Sequence, residues 1–574
     1  MSELIQLETG IRLAPDVAET IRIRTAGNPF FVQELGRLWA AGGEVNMETV
    51  LRSTVPVTVR DVVRDRLVVL DRDTRELLDI AALVGRNIEL AVLARTASLT
   101  VSSCLELLEP VRNLGLVAPA PDDPFSYRFT HDLVRQAVSE AIPPGRAATL
   151  HGSIADAIEG IGLSDESVAE RLAHHLWSAG PLADPARTVA SLVRAGAQAE
   201  AKTALGAAER HLASAVELTR RAALPELELR ALSQLIAVVG MRSMYGSASV
   251  SLLERAEQVA HRLGRDREAA GFLFSRWTAH GQALELDRST PLALRLDELG
   301  RTAEDPVVRS YGRAAAGIHE WCVGNIGASF ERLSTLDTET LSSQDDEYDP
   351  VRSGVQLMTA GMFAEIAGHH GQTARARAMF DDLAQVAADD PYAVITAASF
   401  EARTASVTGD PQWALSAAER GIIADPHFSF VSLGTYLRLA QYWALATTGQ
   451  DPAEAADAAE RLIRTHLTNP VRTCVSTWYA LLGEMHIAAC SLDKARTALD
   501  HADEYLERYG QRSTEALIIL VRAQLQYADG DIRGAASLAD RARTVAVRQG
   551  AHLFARRADR LLSRTGTLEL NGEY

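Results

Sequence analysis

The feature that most constrains this chain is a turn that returns about every 40 residues through its C-terminal half. The turns read "VGN" at Gly324, "HHGQ" at Gly371, "TGDP" at Gly409, "TGQDP" at Gly449, "ACSLD" at Cys490 and "ADGD" at Gly530, and from Gly371 onward they lie 38, 40, 41 and 40 residues apart. A helical stretch precedes each turn, and a second one beginning with small residues follows it. A fixed period of this size is the mark of stacked helical hairpins, each burying its apolar face against the next.

Alanine stands five residues after the turn at Ala376, Ala414, Ala495 and Ala535, where a small side chain lets the second helix approach the first closely. The period resembles tetratricopeptide-like repeats, although it exceeds their usual ~34 residues and lacks the full W-x-x-L-G-x-x-Y signature. That resemblance implies a right-handed superhelix. Less regular hairpins extend back to residue 146, as in "AERLAHHLWSAG" from Ala169 and "LGAAERHLASAVELT" from Leu205, which keep apolar residues at three- and four-residue steps. Roughly ten units of about 40 residues then fill 146–574. Aromatics are only 6% of the chain and apolar residues 47%, in keeping with an all-α protein that has ample core.

Residues 54–145 read differently. Helices are expected at about 57 to 70, 73 to 85, 88 to 98 and 100 to 114. They are followed by two short apolar stretches, Leu116 to Pro119 and Ser126 to Phe129, around a Pro/Asp turn, as in a β-hairpin. Helices ending in such a hairpin suggest a winged helix. Residues 1–53 begin with two helices joined by the Gly27-Asn28-Pro29 turn.

Two local sequences, "TAGNPFFVQEL" from Thr25 and "YRFTHDLVRQAV" from Tyr127, resemble landmarks of the signal-transduction ATPases with numerous domains, a family that includes large bacterial LuxR-type regulators and plant and animal nucleotide-switch receptors. In that family a Gly-x-Pro turn in the helical lid sets proline against adenine, and a hydrophobic-His-Asp motif in the winged helix points histidine at the β-phosphate of ADP. Gly27 and Pro29 match the first, and His131, followed by Asp132, matches the second. The chemistry is coherent: proline offers a flat apolar face, and a histidine near a helix start adds a donor to the positive end of the helix dipole. The plain alternatives stay open, a simple helix-to-helix turn at Gly27–Pro29 and a capping or packing role for His131.

A nucleotide site also needs a phosphate cradle with a lysine and a Ser or Thr for magnesium. The two lysines, Lys202 and Lys494, follow Ala201 and Asp493, so no GK[ST] exists in the sequence. The resemblance therefore implies a remnant lid in 1–53, a winged helix in 54–145 and a repeat sensor in 146–574, with the ATPase core expected before residue 1. The C-terminal "LLSRTGTLELNGEY" does not read as the helix-turn-helix that ends LuxR-type regulators. The expected function is a non-enzymatic sensor and interaction portion of such a regulator. It binds a protein or small-molecule effector on the repeats, and a separately encoded ATPase or DNA-binding half could join it. The alternative is a nucleotide switch whose ATPase domain comes from another chain, the only case in which ADP or ATP is expected as a cofactor.

A formal charge of −17 and a pI near 5.4 make direct nucleic-acid or anionic-membrane binding unexpected. Cys104, Cys322, Cys474 and Cys490 show no CxxC pairing, which favours buried reduced thiols in a cytoplasmic protein over a disulfide framework or zinc site. "HEWCV" at His319 lacks the second histidine of a zincin helix, since Val323 takes its place. His174-His175 and His369-His370 point about 100° apart on a helix, so no metal site is expected. Trp277, Trp321, Trp413, Trp443 and Trp478 fall in repeat helices, most as hairpin core and one or two as candidates for the concave face.

Overall fold

The computed structural model describes residues 67–162, 168–243, 247–336, 350–388, 390–468 and 471–571. Gly27 and Pro29 lie outside the described residues. The chain divides into two compact units, Met1–Leu192 and Val193–Tyr574.

The first unit runs α1 (Arg72–Val84), β1 (Asn87–Glu89), α2 (Leu90–Ala97), α3 (Val101–Asn113), β2 (Val117–Pro119), β3 (Ser126–Phe129), α4 (Asp132–Ala141), α5 (Pro144–Ile161) and α6 (Val168–Ala179). Local chemistry sets the boundaries. Asp71 caps α1 by accepting from the Thr74 amide at 2.8 Å, and Thr100 caps α3 through the Ser103 amide at 3.1 Å. The expected hairpin forms, with Val117 opposite Phe129, and its turn is held by Asp123, which accepts from the Phe125 amide at 2.9 Å.

One strand was not expected. Asn87–Glu89 falls where a helix was predicted from 88, and it pairs with the other edge of β3 to give an antiparallel sheet in the order β1-β3-β2. Three residues are too short to display the two-residue alternation of a strand, and the helix begins only at Leu90. Ile88, Val92, Cys104, Val111, Phe129 and Ile154 meet in the core of this unit.

The second unit is a row of helices in which each packs on its sequence neighbour. Its repeating turn has one stereochemistry. Thr203, Leu284, Gly324, Gly371, Gly409, Gly449, Cys490 and Gly530 all take a positive φ, between 54° and 96°. In every case that residue's amide bonds the carbonyl three residues back, and the next amide bonds the carbonyl five back, as with Gly530 to Tyr527 and Asp531 to Gln526. This pair of bonds satisfies the orphan carbonyls at a helix end. The following residue often starts the second helix: Asp410 accepts from the Trp413 amide at 3.0 Å, with Pro411 in the first helical turn.

Ala376, Ala414, Ala495 and Ala535 are fully buried, as their small size suggested. A second packing device was not visible in the turns. A methyl group on Gly196, Gly317 or Gly421 would stand 2.7, 2.7 and 2.5 Å from Leu212, Leu333 and Leu437 respectively, so each leucine fills a notch left by a glycine on a neighbouring helix.

The row also returns to itself. The Arg472 and Thr473 amides donate to the Gln282 carbonyl at 2.8 and 3.1 Å, and the Arg512 amide donates to the Cys322 carbonyl at 2.8 Å. Side chains repeat the pattern. Arg472 bonds Ala283, Thr473 bonds Gln282 and Arg556 bonds Gly371, across 189, 191 and 185 residues. Among the described residues no single helix is long and apolar enough to cross a membrane.

Candidate functional site

The helix Pro391–Thr408 is buried on all sides from Ile395 to Val407, yet it carries Glu401 and Arg403. A helix buried all round should be apolar all round. These two charges are therefore a signal.

Arg403, 6% exposed, lies on the wall shared by two adjoining cavities of about 620 and 80 Å3 in the second unit. The larger falls within the range of small-molecule sites. Thr278, Gln282, Met358, Phe400 and Arg403 line both. One Arg403 Nη donates to the buried carboxylate of Glu365, and the guanidinium lies 4.6 Å from the Phe400 ring centre and 5.0 Å from that of Tyr436. Burial opposes the Arg403 charge, but the Glu365 carboxylate more than offsets it and holds the guanidinium pKa above its ordinary value.

Several donors around the cavities are unspent. Arg403 Nε and Ser275 Oγ at the larger cavity, and Trp277 Nε1 and Ser289 Oγ at the smaller, are buried with no hydrogen-bond partner among the described residues. A buried donor left unpaired costs about 1–3 kcal/mol. Glu200 and Asp390 also line the larger cavity. Burial, and then the nearby Asp390 charge, raise the Glu200 pKa.

The five repeat tryptophans are all buried, and Trp277 and Trp321 border the smaller cavity. Trp321 donates to His369 Nδ1 at 3.0 Å. Trp413 and Trp443 instead donate to Glu401 and Glu484, at 2.6 and 3.0 Å. Burial pushes the Cys322 and Cys474 thiols up to about 12, which leaves them unreactive at neutral pH. Cys104 is buried too, whereas Cys490 is exposed, a correction to the expectation that all four thiols are buried.

His131 occupies the N-cap position of α4, half-buried, directly after β3. It makes no side-chain capping bond; the adjacent Asp132 pairs with Arg135 at 2.8 Å. Elsewhere, the 100° between His174 and His175 does not keep their rings apart: the ring centres are 5.3 Å from each other, and that of His151 lies within 5.6 Å of both. Side-chain reach outweighs the divergence of the Cα–Cβ bonds.

No family model matches the chain, and no curated protein matches it. Among solved structures it is similar to a Signal Transduction ATPase with Numerous Domains protein with a tetratricopeptide repeat sensor from Pyrococcus horikoshii, at 13% identity and a TM-score of 0.45, over 91% of this chain and 74% of that one. It is also similar to a circular tandem repeat protein with novel repeat topology, at 13% identity and a TM-score of 0.14, over 88% of this chain and 97% of that one. Both likenesses are remote.

Proposed function

We propose that this chain is a non-enzymatic sensor, the interaction portion of a cytoplasmic LuxR-type transcriptional regulator, whose tetratricopeptide-like repeats wind into a superhelix around an effector. The observation that carries this reading is the 620 Å3 cavity, lined by Phe400 and Met358 together with Arg403 and Ser275. The effector is a small amphipathic molecule with an apolar body against Phe400 and Met358 and a polar part toward Arg403 and Ser275. The regulator class rests on the sequence motifs. The order helix, strand, helix, helix, strand, strand in the first unit supports the winged-helix reading of 54–145.

The cavity is tested with anilinonaphthalene sulfonate, an amphipathic anion that fluoresces in apolar surroundings. One saturable site per chain is expected, and Ala360→Trp, which fills the cavity from its wall, should abolish it. Binding that Ala360→Trp leaves untouched would place the probe elsewhere and remove the support for a sensor cavity.

A second reading, a nucleotide switch completed by an ATPase from another chain, is favoured by the place of His131 at the head of α4, where a helix N-terminus meets anions. The isolated chain is then expected to show no heat with ADP and magnesium. Micromolar binding that His131→Ala removes would mean that the chain holds nucleotide unaided.

A further inference from the structure

His151 on α5 and His174 and His175 on α6 form, among the described residues, a group of three metal-ligating side chains whose ligand atoms all lie within 4.8 Å of one another. His151 Nδ1 and His175 Nδ1 are 2.8 Å apart. We propose that these three histidines bind a divalent transition-metal ion, with zinc as the reference ion.

The geometry is close to what such an ion requires. Zinc–nitrogen bonds of about 2.0–2.1 Å in a tetrahedral site place ligand atoms roughly 3.3 Å apart. The His151–His175 contact is shorter than that spacing, and the contacts to His174 are no longer than 4.8 Å. His151 and His175 are 9% and 2% exposed, fixed by the packing of α5 on α6. His174 is exposed, and its ring centre lies 5.6 and 5.3 Å from those of His151 and His175. Three imidazoles and an open side toward water are the pattern of a site that keeps one exchangeable position. A purely nitrogen donor set favours zinc, copper or nickel over calcium or magnesium.

The 2.8 Å contact between His151 Nδ1 and His175 Nδ1 is a hydrogen bond between two imidazoles, so an ion held through both atoms moves one ring proton from Nδ1 to Nε2. The nearby cations have partners: Arg135 pairs with Asp132 at 2.8 Å and Arg171 with Glu89 at 2.5 Å. The competing account, a hydrogen-bonded His151–His175 pair with no metal, gives His174 no role. The two accounts therefore divide at that residue.

The test is titration of chelator-treated full-length chain with zinc by calorimetry and with cobalt(II) by visible absorption. One equivalent is expected to bind, with the strong ligand-field bands of four-coordinate cobalt. His174→Ala, a change at an exposed position, should leave the thermal melt of the metal-free chain unchanged. It should remove those bands and weaken zinc binding by at least the roughly 10–100-fold that loss of an outer-shell partner alone can cost, while His501→Ala, another exposed histidine, changes nothing. Absence of a one-equivalent site, or a site that His174→Ala does not weaken, would overturn the proposal.

Discussion

Arg403 and Glu365 form an ion pair inside the repeat unit, with side chains 6% and 3% exposed, and the arginine belongs at the same time to the wall of the larger cavity. The pair neutralises itself, and the arginine Nε is buried with no hydrogen-bond partner among the described residues.

Removing one partner of a buried pair strands the other charge, at a cost of about 3–5 kcal/mol. Glu365→Gln is expected to lower the urea unfolding free energy by that amount. The double variant Glu365→Met, Arg403→Met should recover most of the loss, because two apolar side chains of similar volume leave nothing stranded. A double variant as unstable as the single one would mean that the pair stabilises by more than mutual neutralisation.

The repeat turns give two substitutions of opposite sign. Cys490, exposed, holds φ 54°, a conformation that costs a side-chain-bearing residue about 1 kcal/mol. Cys490→Gly is expected to raise stability by up to ~1 kcal/mol. Gly530→Ala, at φ 88° with nothing near the added methyl, should lower it by about the same. Thermal melts of both variants check the pair; equal shifts in one direction would exclude the backbone account.

A methyl group on Gly317 would meet Leu333 Cγ at 2.7 Å. Gly317→Ala is therefore expected to destabilise by about 1–3 kcal/mol through overpacking, against the usual helix preference for alanine. Adding Leu333→Ala should bring in a cavity cost but cancel the clash. Such coupling is measurable in a double-mutant cycle.

His369, 1% exposed, has its pKa lowered by burial from the ordinary 6.5 to about 4. Between these values the unfolded chain holds the proton and the folded chain does not. Stability therefore falls as the pH drops from about 6.5 toward 4, and this contribution to the loss levels off below that. A shift of this size corresponds to about 3 kcal/mol. His369→Asn keeps an acceptor for Trp321 without titrating, and its unfolding free energy should decline less between pH 7 and pH 4.5 than that of the parent chain. An unchanged decline would assign the acid sensitivity to other groups.

The repeat was legible wherever glycine holds the left-handed turn position, and the alanines five residues later marked the close packing that follows. It was illegible at Thr203 and Leu284, which take the same backbone conformation without the residue that signals it. Leu284 lies 40 residues before Gly324, so the period continues upstream beyond the point where the sequence shows it. Strand β1 escaped because three residues carry no periodicity. The charges at Glu401 and Arg403 went unremarked in the sequence and stand out only once the helix is known to be buried all round. Their cavity was not legible either, because helices distant in the sequence meet around it. The same holds for His151 and His175, whose contact spans 24 residues and depends on how two helices pack.

The amides of Arg472 and Arg512 are tied to the carbonyls of Gln282 and Cys322, and these ties have a mechanical consequence. An open coil of hairpins stretches like a spring, each joint yielding a little. Here segments about 190 residues apart are fastened to one another, so they separate only when several fasteners release together. The fastened helices therefore hold their form up to a threshold and then yield, a step rather than a gradient.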